Sequence, residues 1–173
     1  MSQHTHPKSP QDPFHAHDHA HCAESVLRRA EDQAQEEGVR LTPVRRRVLE
    51  ILLESHRAMG AYEVLERLAA EGFGKQPPVA YRALDFLVEQ GLAHRVRRLN
   101  AYAACLSNQR DHAPAFLICR GCEQVAEAET PELRAAMLAL AAAHDFTIER
   151  STVEILGLCG RCAAADAAEK AKA

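Results

Sequence analysis

Residues 77–96 read PPVAYRALDFLVEQGLAHRV, and the fold turns on how this stretch is divided. Pro77 and Pro78 stand where a helix start tolerates a missing N–H. Ala80, Ala83, Leu84, Leu87 and Val88 then recur at helical spacing, while Tyr81, Arg82, Asp85 and Glu89 fall largely on the other face. Gly91 is a stop signal. The pattern predicts a helix over Val79 to Gln90. Beyond it, Leu92 to Val96 and Ala101 to Cys105 flank the polar residues Arg97 to Asn100, which predicts a hairpin.

Working back toward the N-terminus, Ala61 to Glu71 offers Val64, Leu65 and Leu68 to one side before Gly72. Thr42 and Pro43 form a cap and first-turn pair ahead of Val44, Val48, Ile51, Leu52 and Ser55. Ser25 to Glu37 suits a further helix, with Val26, Leu27, Ala30 and Ala34 on its thin apolar face and Gly38 at its end. Helices followed by a hairpin predict a winged helix-turn-helix, which presents the second helix of the turn to the DNA major groove. Charge agrees in sign. Residues 40–98 carry eleven Lys/Arg against seven Asp/Glu, in a chain whose net charge is −3. The excess is modest, so a helical domain whose arginines merely solvate its surface is the alternative.

Residues 1–22 hold six of the ten histidines and three of the eight prolines, with Phe14 the one large apolar side chain after Met1. Such a segment buries too little surface to offset its ordering entropy and predicts a disordered tail. Its end, HAHDHAHC at 15–22, is either a loose metal-binding segment or a solvated tail. The C-terminal half changes character. Ala115 to Ile118 and Gln124 to Glu129 predict short strands, and Thr130 with Pro131 caps an alanine-rich helix to about Ala143. Phe146 to Leu156 predicts a longer strand whose phase shifts near Arg150 and Ser151. So small a sheet with one helix needs a staple or a partner subunit. The fold class expected is α/β (α+β). Its divisions are a tail at 1–22, a winged-helix domain at 23–106, a hinge at 107–113, a dimerisation and zinc-binding domain at 114–164 and a flexible tail at 165–173.

The longest apolar run, Ala135 to Ala143, is too short to cross a bilayer, and the start MSQHTHPKSP shows no apolar secretory region. A cytoplasmic chain keeps its thiols reduced, so the six cysteines are read as ligands before disulfides. Cys119 with Cys122, and Cys159 with Cys162, form two C-x-x-C pairs, enough for a tetrahedral four-thiolate zinc site. Redox-active dithiols are the alternative. Zinc there would tie the ends of the 36 intervening residues together, and such sites contribute on the order of 10 kcal/mol to folding. A looser constellation joins His94, Cys105, His112 and Glu127. Each has an ordinary explanation as a surface histidine, a small buried thiol or a solvated strand position. Together, two neutral imidazoles, a thiolate and a carboxylate neutralise a divalent ion, and the thiolate favours zinc over iron or manganese.

The segments RLTPVRRRVLEIL and PPVAYRALDFLVEQGLAHRV, the C-x-x-C after AFLI and the closing GLCGRC resemble the ferric-uptake-regulator superfamily, specifically its zinc uptake regulator branch. The resemblance runs from about Ala23 to Cys162, with YRALDFLVEQG its most specific stretch. It implies an N-terminal winged helix, a hinge and a C-terminal dimerisation domain. It also implies that His94, Cys105, His112 and Glu127 are the regulatory zinc ligands beside the structural set Cys119, Cys122, Cys159 and Cys162, about two zinc ions per chain. Two positions depart from the family pattern. Val79 and Ala80 stand where Thr and Val are usual, and the linker from Cys105 to His112 is one residue shorter. A third site at His144 is not expected, since its partners are missing around Ala115 and Arg134.

The function implied is a zinc-responsive repressor that binds double-stranded operator DNA as a homodimer and controls zinc uptake genes, with no membrane and no small-molecule substrate. Tyr81 and Arg82 are the expected base and groove contacts. Tyr62, Arg45, Arg46 and Arg98 are expected on phosphates, surface solvation being the alternative, above all for Arg98. An iron or peroxide sensor of the same superfamily would favour nitrogen and oxygen ligands, against Cys105. A zinc hydrolase needs an open coordination position that four protein ligands do not leave, and the deaminase pattern is absent, so no enzyme is expected. A zinc-storage protein fed by the histidine tail is the remaining reading.

Overall fold

The computed structural model describes residues 14, 19–54, 57–107, 114–128, 131–149 and 151–171, with 19–22 as backbone. The elements run α1 (His19–Glu36), α2 (Pro43–Leu53), α3 (Ala61–Ala70), α4 (Pro77–Glu89), β1 (Ala93–Val96), a 3-10 turn (Arg97–Leu99), β2 (Ala101–Ala104), β3 (Ala115–Cys119), β4 (Val125–Ala128), α5 (Pro131–Ala142), β5 (Val153–Gly157) and α6 (Gly160–Lys170).

The N-terminal half is a winged helix. Val26, Val48, Ile51, Leu52, Val64, Leu68, Leu84 and Leu87, all buried, interlock the faces of α1 to α4. Thr42 caps α2 by accepting the Arg45 N–H at 3.4 Å. At the end of α4, Gly91 takes φ 66°. Leu92 donates back to the Leu87 carbonyl at 2.8 Å and Gly91 to that of Val88 at 3.1 Å. This Schellman closure turns the chain directly into β1. The wing pairs Ala93 with Ala104 and Val96 with Ala101, and Asn100 supplies the left-handed residue of its turn at φ 47°. Met59 and Tyr102 exchange backbone hydrogen bonds of 2.8 and 2.9 Å, which ties β2 to the segment before α3.

The C-terminal half is a three-stranded sheet in the order β4-β3-β5, with β3 antiparallel to β4 and parallel to β5. One face packs on the wing, where Phe116, Ile118 and Val125 meet Ala58, Val96 and Ala101 in a second small core. On the opposite face Leu117 and Ile155 remain exposed; Leu138 and Leu140 on α5 and Phe146 after it are exposed as well, Leu138 lining a cavity with Phe116, His94 and Gln33.

Three expectations need correction. The long strand from Phe146 is absent, and β5 begins only at Val153. Asp145 adopts φ 48° and Phe146 donates to the Ala141 carbonyl at 2.9 Å, so Phe146 belongs to the closure of α5, and pairing starts where Val153 meets Ala115. Residues 160–170, largely placed in a flexible tail, form α6, a run dominated by alanine, the strongest helix former. Likewise α1 starts at His19, inside the segment read as a tail. His112, Thr130, Ser55, most of the 107–113 hinge and most of the 1–22 tail lie outside the described residues.

Candidate metal centres and nucleic-acid interface

The four cysteines converge. Their sulfurs all lie within 4.8 Å of one another, and Cys105, Cys119, Cys122, Cys159 and Cys162 are free thiols. Topology explains the meeting: the parallel β3–β5 pairing sets Cys119 opposite Gly157, so Cys159, two residues further on, lies beside it. Cys159 donates its backbone N–H to the Cys119 sulfur at 3.3 Å. The turn between Cys119 and Cys122 is tight. A Cβ on Gly121 would stand 2.9 Å from the Cys162 Cβ and 3.0 Å from its sulfur. Glu123 completes the turn at φ 59°.

Electrostatics in this cluster are those of a cation cradle. Burial pushes the Cys119 thiol up, but N–H groups of Cys159, Cys122 and Gly121 outweigh it and bring the pKa down to about 6. Cys162 is pushed up to about 12, chiefly by Cys159, then by burial and the other sulfurs. Sulfurs this close cannot all be anionic without a cation among them. The Arg161 guanidinium is held above its usual range by Cys122.

A second group forms across the boundary between the halves. His94 on β1, Cys105 just past β2 and Glu127 on β4 place one ligand atom each within 4.8 Å of one another. His94 Nε2 is 3.3 Å from Glu127 Oε1, and the Cys105 sulfur is 3.9 Å from the same oxygen. The other Glu127 oxygen accepts the Leu106 N–H at 2.9 Å. Burial alone would lower the His94 pKa, but Cys105 and Glu127 outweigh it and hold the imidazole at about 9. Three of the four residues expected here are thus together, and His112 is outside the described residues.

Sequence reasoning missed the groups packed around this trio. Arg29 of α1 donates to the Cys105 carbonyl at 3.0 Å, Gln33 donates to that of Gln90 at 2.8 Å, and the Phe116 ring lies 5.3 Å from His94. No local signal marks Arg29 or Gln33. Gly121 was visible as the glycine inside the first C-x-x-C pair.

The residues expected at a DNA surface fall into two groups, exposed and engaged within the chain. Tyr62 on α3 and Tyr81 on α4 are exposed and meet edge to face, with ring centroids 6.4 Å apart. Arg82 is exposed one residue on. Arg45 and Arg46 are engaged inside the chain instead. Arg45 stacks 3.6 Å over the Phe86 ring and donates to the Arg40 carbonyl; Arg46 pairs with Glu31 and, at 2.9 Å, with Glu50. Arg47 sits among Glu71, Glu54 and Glu50, and Glu71 above all holds its proton more firmly than usual. Arg98 is exposed on the wing.

Comparison with known proteins gives a consistent result. The model of the ferric uptake regulator family matches residues 36–156. The zinc uptake regulation protein of Escherichia coli is 37% identical over 145 residues, which cover 83% of this chain and 85% of that one. Among solved structures, a zinc uptake regulator complexed with zinc and DNA superposes with a TM-score of 0.79 at 36% identity, covering 84% of this chain and 97% of its own. The holo form of XcZur gives 0.72 at 36% identity, covering 81% and 98%.

Proposed function

The chain belongs to the ferric uptake regulator family, and from that premise we propose that it is a zinc-responsive repressor that binds operator DNA as a homodimer and governs zinc uptake genes. The observation that carries the metal choice is the donor set. A sulfur, an imidazole and a carboxylate gathered within 4.8 Å suit zinc better than ferrous iron or manganese. His112 is proposed as the fourth ligand. The four-cysteine group is proposed as a second, structural zinc site, and the close approach at Gly121 fits it, since a side chain there would fill the space the sulfurs need.

Zinc would supply a fixed coordination geometry at each site, balancing the thiolate and carboxylate of the mixed group and offsetting part of the charge of the four thiolates. The chain's own residues do the rest. His94 and Cys105 belong to the wing and its exit, Glu127 to the C-terminal sheet, so drawing them together selects one angle between the halves out of many. A dimer can then place two α4 helices about one groove repeat, ~34 Å, apart. The exposed Leu117 and Ile155, on the sheet face away from the wing, are proposed as apolar surface for a second copy. Among the described residues no helix is long and apolar enough to cross a membrane. A non-enzymatic role and a cytoplasmic location are part of the same proposal, supported by the likeness to zinc uptake regulation proteins.

Tyr81 and Arg82 are proposed to read bases, and Tyr62 and Arg98 to contact phosphates. Arg45 and Arg46 would have to leave Phe86, Glu31 and Glu50 to do so. Operator binding measured across a buffered zinc series tests the function: affinity should rise steeply with free zinc and fall with salt. Binding that ignores zinc, or iron retained in preference to zinc, overturns it. Arg82→Ala should narrow discrimination between operator and random duplex by roughly 1–3 kcal/mol.

A further inference from the structure

Metal ligands are not the only groups that join the two halves. Phe116 on β3 lies opposite Glu127 on β4 and opposite Glu154 on β5. Directly paired residues project from the same face of a sheet, so Glu127, Phe116 and Glu154 form one row turned toward the wing. Two of them meet the wing at His94 and the third meets its turn. Glu127 reaches His94 and the Leu106 amide, and Phe116 packs on the His94 ring. Glu154, half-buried, accepts the backbone N–H of Arg97 on Oε1 at 2.7 Å and that of Arg98 on Oε2 at 2.9 Å. Two hydrogen bonds from consecutive amides to the two oxygens of one carboxylate are charge-assisted and geometrically demanding. They fix the wing turn to β5 without any metal.

We propose that Glu154 is a positioning residue: it clamps the wing turn on the sheet in the arrangement that brings His94, Cys105 and Glu127 together, and thereby sets the zinc affinity of a site it does not touch. The inference rests on the proposed zinc site and extends it. Phe116 is the rigid middle of the row, and His94 is only three residues before Arg97. Seating the turn on Glu154 therefore seats His94 beside Glu127. When a competent arrangement is only partly populated, apparent affinity falls in proportion to that fraction. Removing the clamp lowers the fraction and leaves the ligands themselves unchanged. Charge at Glu154, between two apolar neighbours in VEIL, was the one local sign of this role.

The test uses the full-length chain with the four-cysteine site loaded, compared as wild type, Glu154→Ala and Glu154→Gln. Zinc affinity at the mixed site is read by competition with a chromophoric chelator in the absence of DNA, alongside dimer mass and the zinc retained by the cysteines. We expect about tenfold weaker zinc binding for Glu154→Ala. An intermediate loss is expected for Glu154→Gln, which keeps one acceptor oxygen but sets an NH2 group against the second amide. Retained zinc and dimer mass should stay as in wild type, and operator affinity should recover at saturating zinc. Wild-type zinc affinity in Glu154→Ala overturns the inference. So does tighter zinc-free DNA binding by that variant, since the carboxylate would then be shielding the wing from phosphate. If Glu154→Ala fails to dimerise, Glu154→Gln decides, and wild-type affinity there overturns the clamp. Zinc-independent operator binding by the wild type would instead sink the repressor reading, while the chelator competition still reads the clamp.

Discussion

The two metal centres differ in what their ligands belong to. Cys119 ends β3, Cys122 lies in the turn after it, Cys159 caps α6 and Cys162 sits in its first turn, all inside the small C-terminal domain. The mixed trio draws His94 and Cys105 from the winged helix and Glu127 from the sheet. A metal that ties one element to itself contributes to folding, whereas a metal that ties two independently packed domains selects between their arrangements. The winged helix has its own core of buried Val, Leu and Ile side chains. By contrast, the sheet domain leaves Leu117, Ile155 and Leu138 uncovered and has little interior of its own. That difference in core size is why one centre is suited to be a staple and the other a sensor.

Breaking the staple should have the largest effect. Cys119→Ser removes a thiolate from a site of a kind worth on the order of 10 kcal/mol to folding, so the C-terminal half should lose ordered structure and self-association at any zinc concentration. Circular dichroism and sedimentation check this; a folded dimer in Cys119→Ser would show that the sheet stands on its own core. Cys105→Ser should leave folding, dimerisation and the tightly held zinc intact but abolish the zinc-induced gain in operator affinity. By linkage, operator DNA tightens zinc binding in the wild type by the same factor as zinc tightens DNA binding, and this reciprocity should vanish in the variant. Calorimetry with and without operator reads both sides of the cycle.

Smaller changes sharpen the contrast. Gly121→Ala pushes a methyl group to within 2.9 Å of the Cys162 Cβ, so the turn must open, at a cost of roughly 1–3 kcal/mol. Zinc retained against a strong chelator should fall while the response at the mixed site persists. The smallest effect is expected for Arg29→Ala, which removes the donor to the Cys105 carbonyl. Partners that orient a ligand typically change metal affinity by about 10-fold or more. Arg29 acts on a backbone carbonyl one step removed, so a loss of only about tenfold, confined to the mixed site, is the expected reading of a zinc titration.

Much of this was legible before any coordinates. The stripe in PPVAYRALDFLVEQG dictated α4, the Thr42–Pro43 pair dictated the start of α2, and the paired C-x-x-C spacing announced a four-sulfur centre, because these signals are local and need only helical period, capping chemistry or the reach of a short turn. The alternation after Phe146 misled, since pairing partners decide where a strand begins, and β3 starts at Ala115, whose partner on the β5 side is Val153. The engagement of Arg45 with Phe86 and of Arg46 with Glu31 was equally hidden, because each partner lies on another element or a distant turn.

By itself, then, the sequence determined which residues could be ligands and where α2, α3 and α4 form and stop, through periodicities and spacings that a few neighbouring residues complete. The tertiary structure alone decided that Glu127 and Glu154 flank Phe116 in one row, that Arg29 reaches the Cys105 carbonyl, and that His94 sits between sheet and wing. Those relations span from 11 residues of chain, between Phe116 and Glu127, to 76, between Arg29 and Cys105. Contacts so distant arise only when β3, β4 and β5 align in register and the wing packs on their common face, since no local preference couples residues that only a whole sheet brings together.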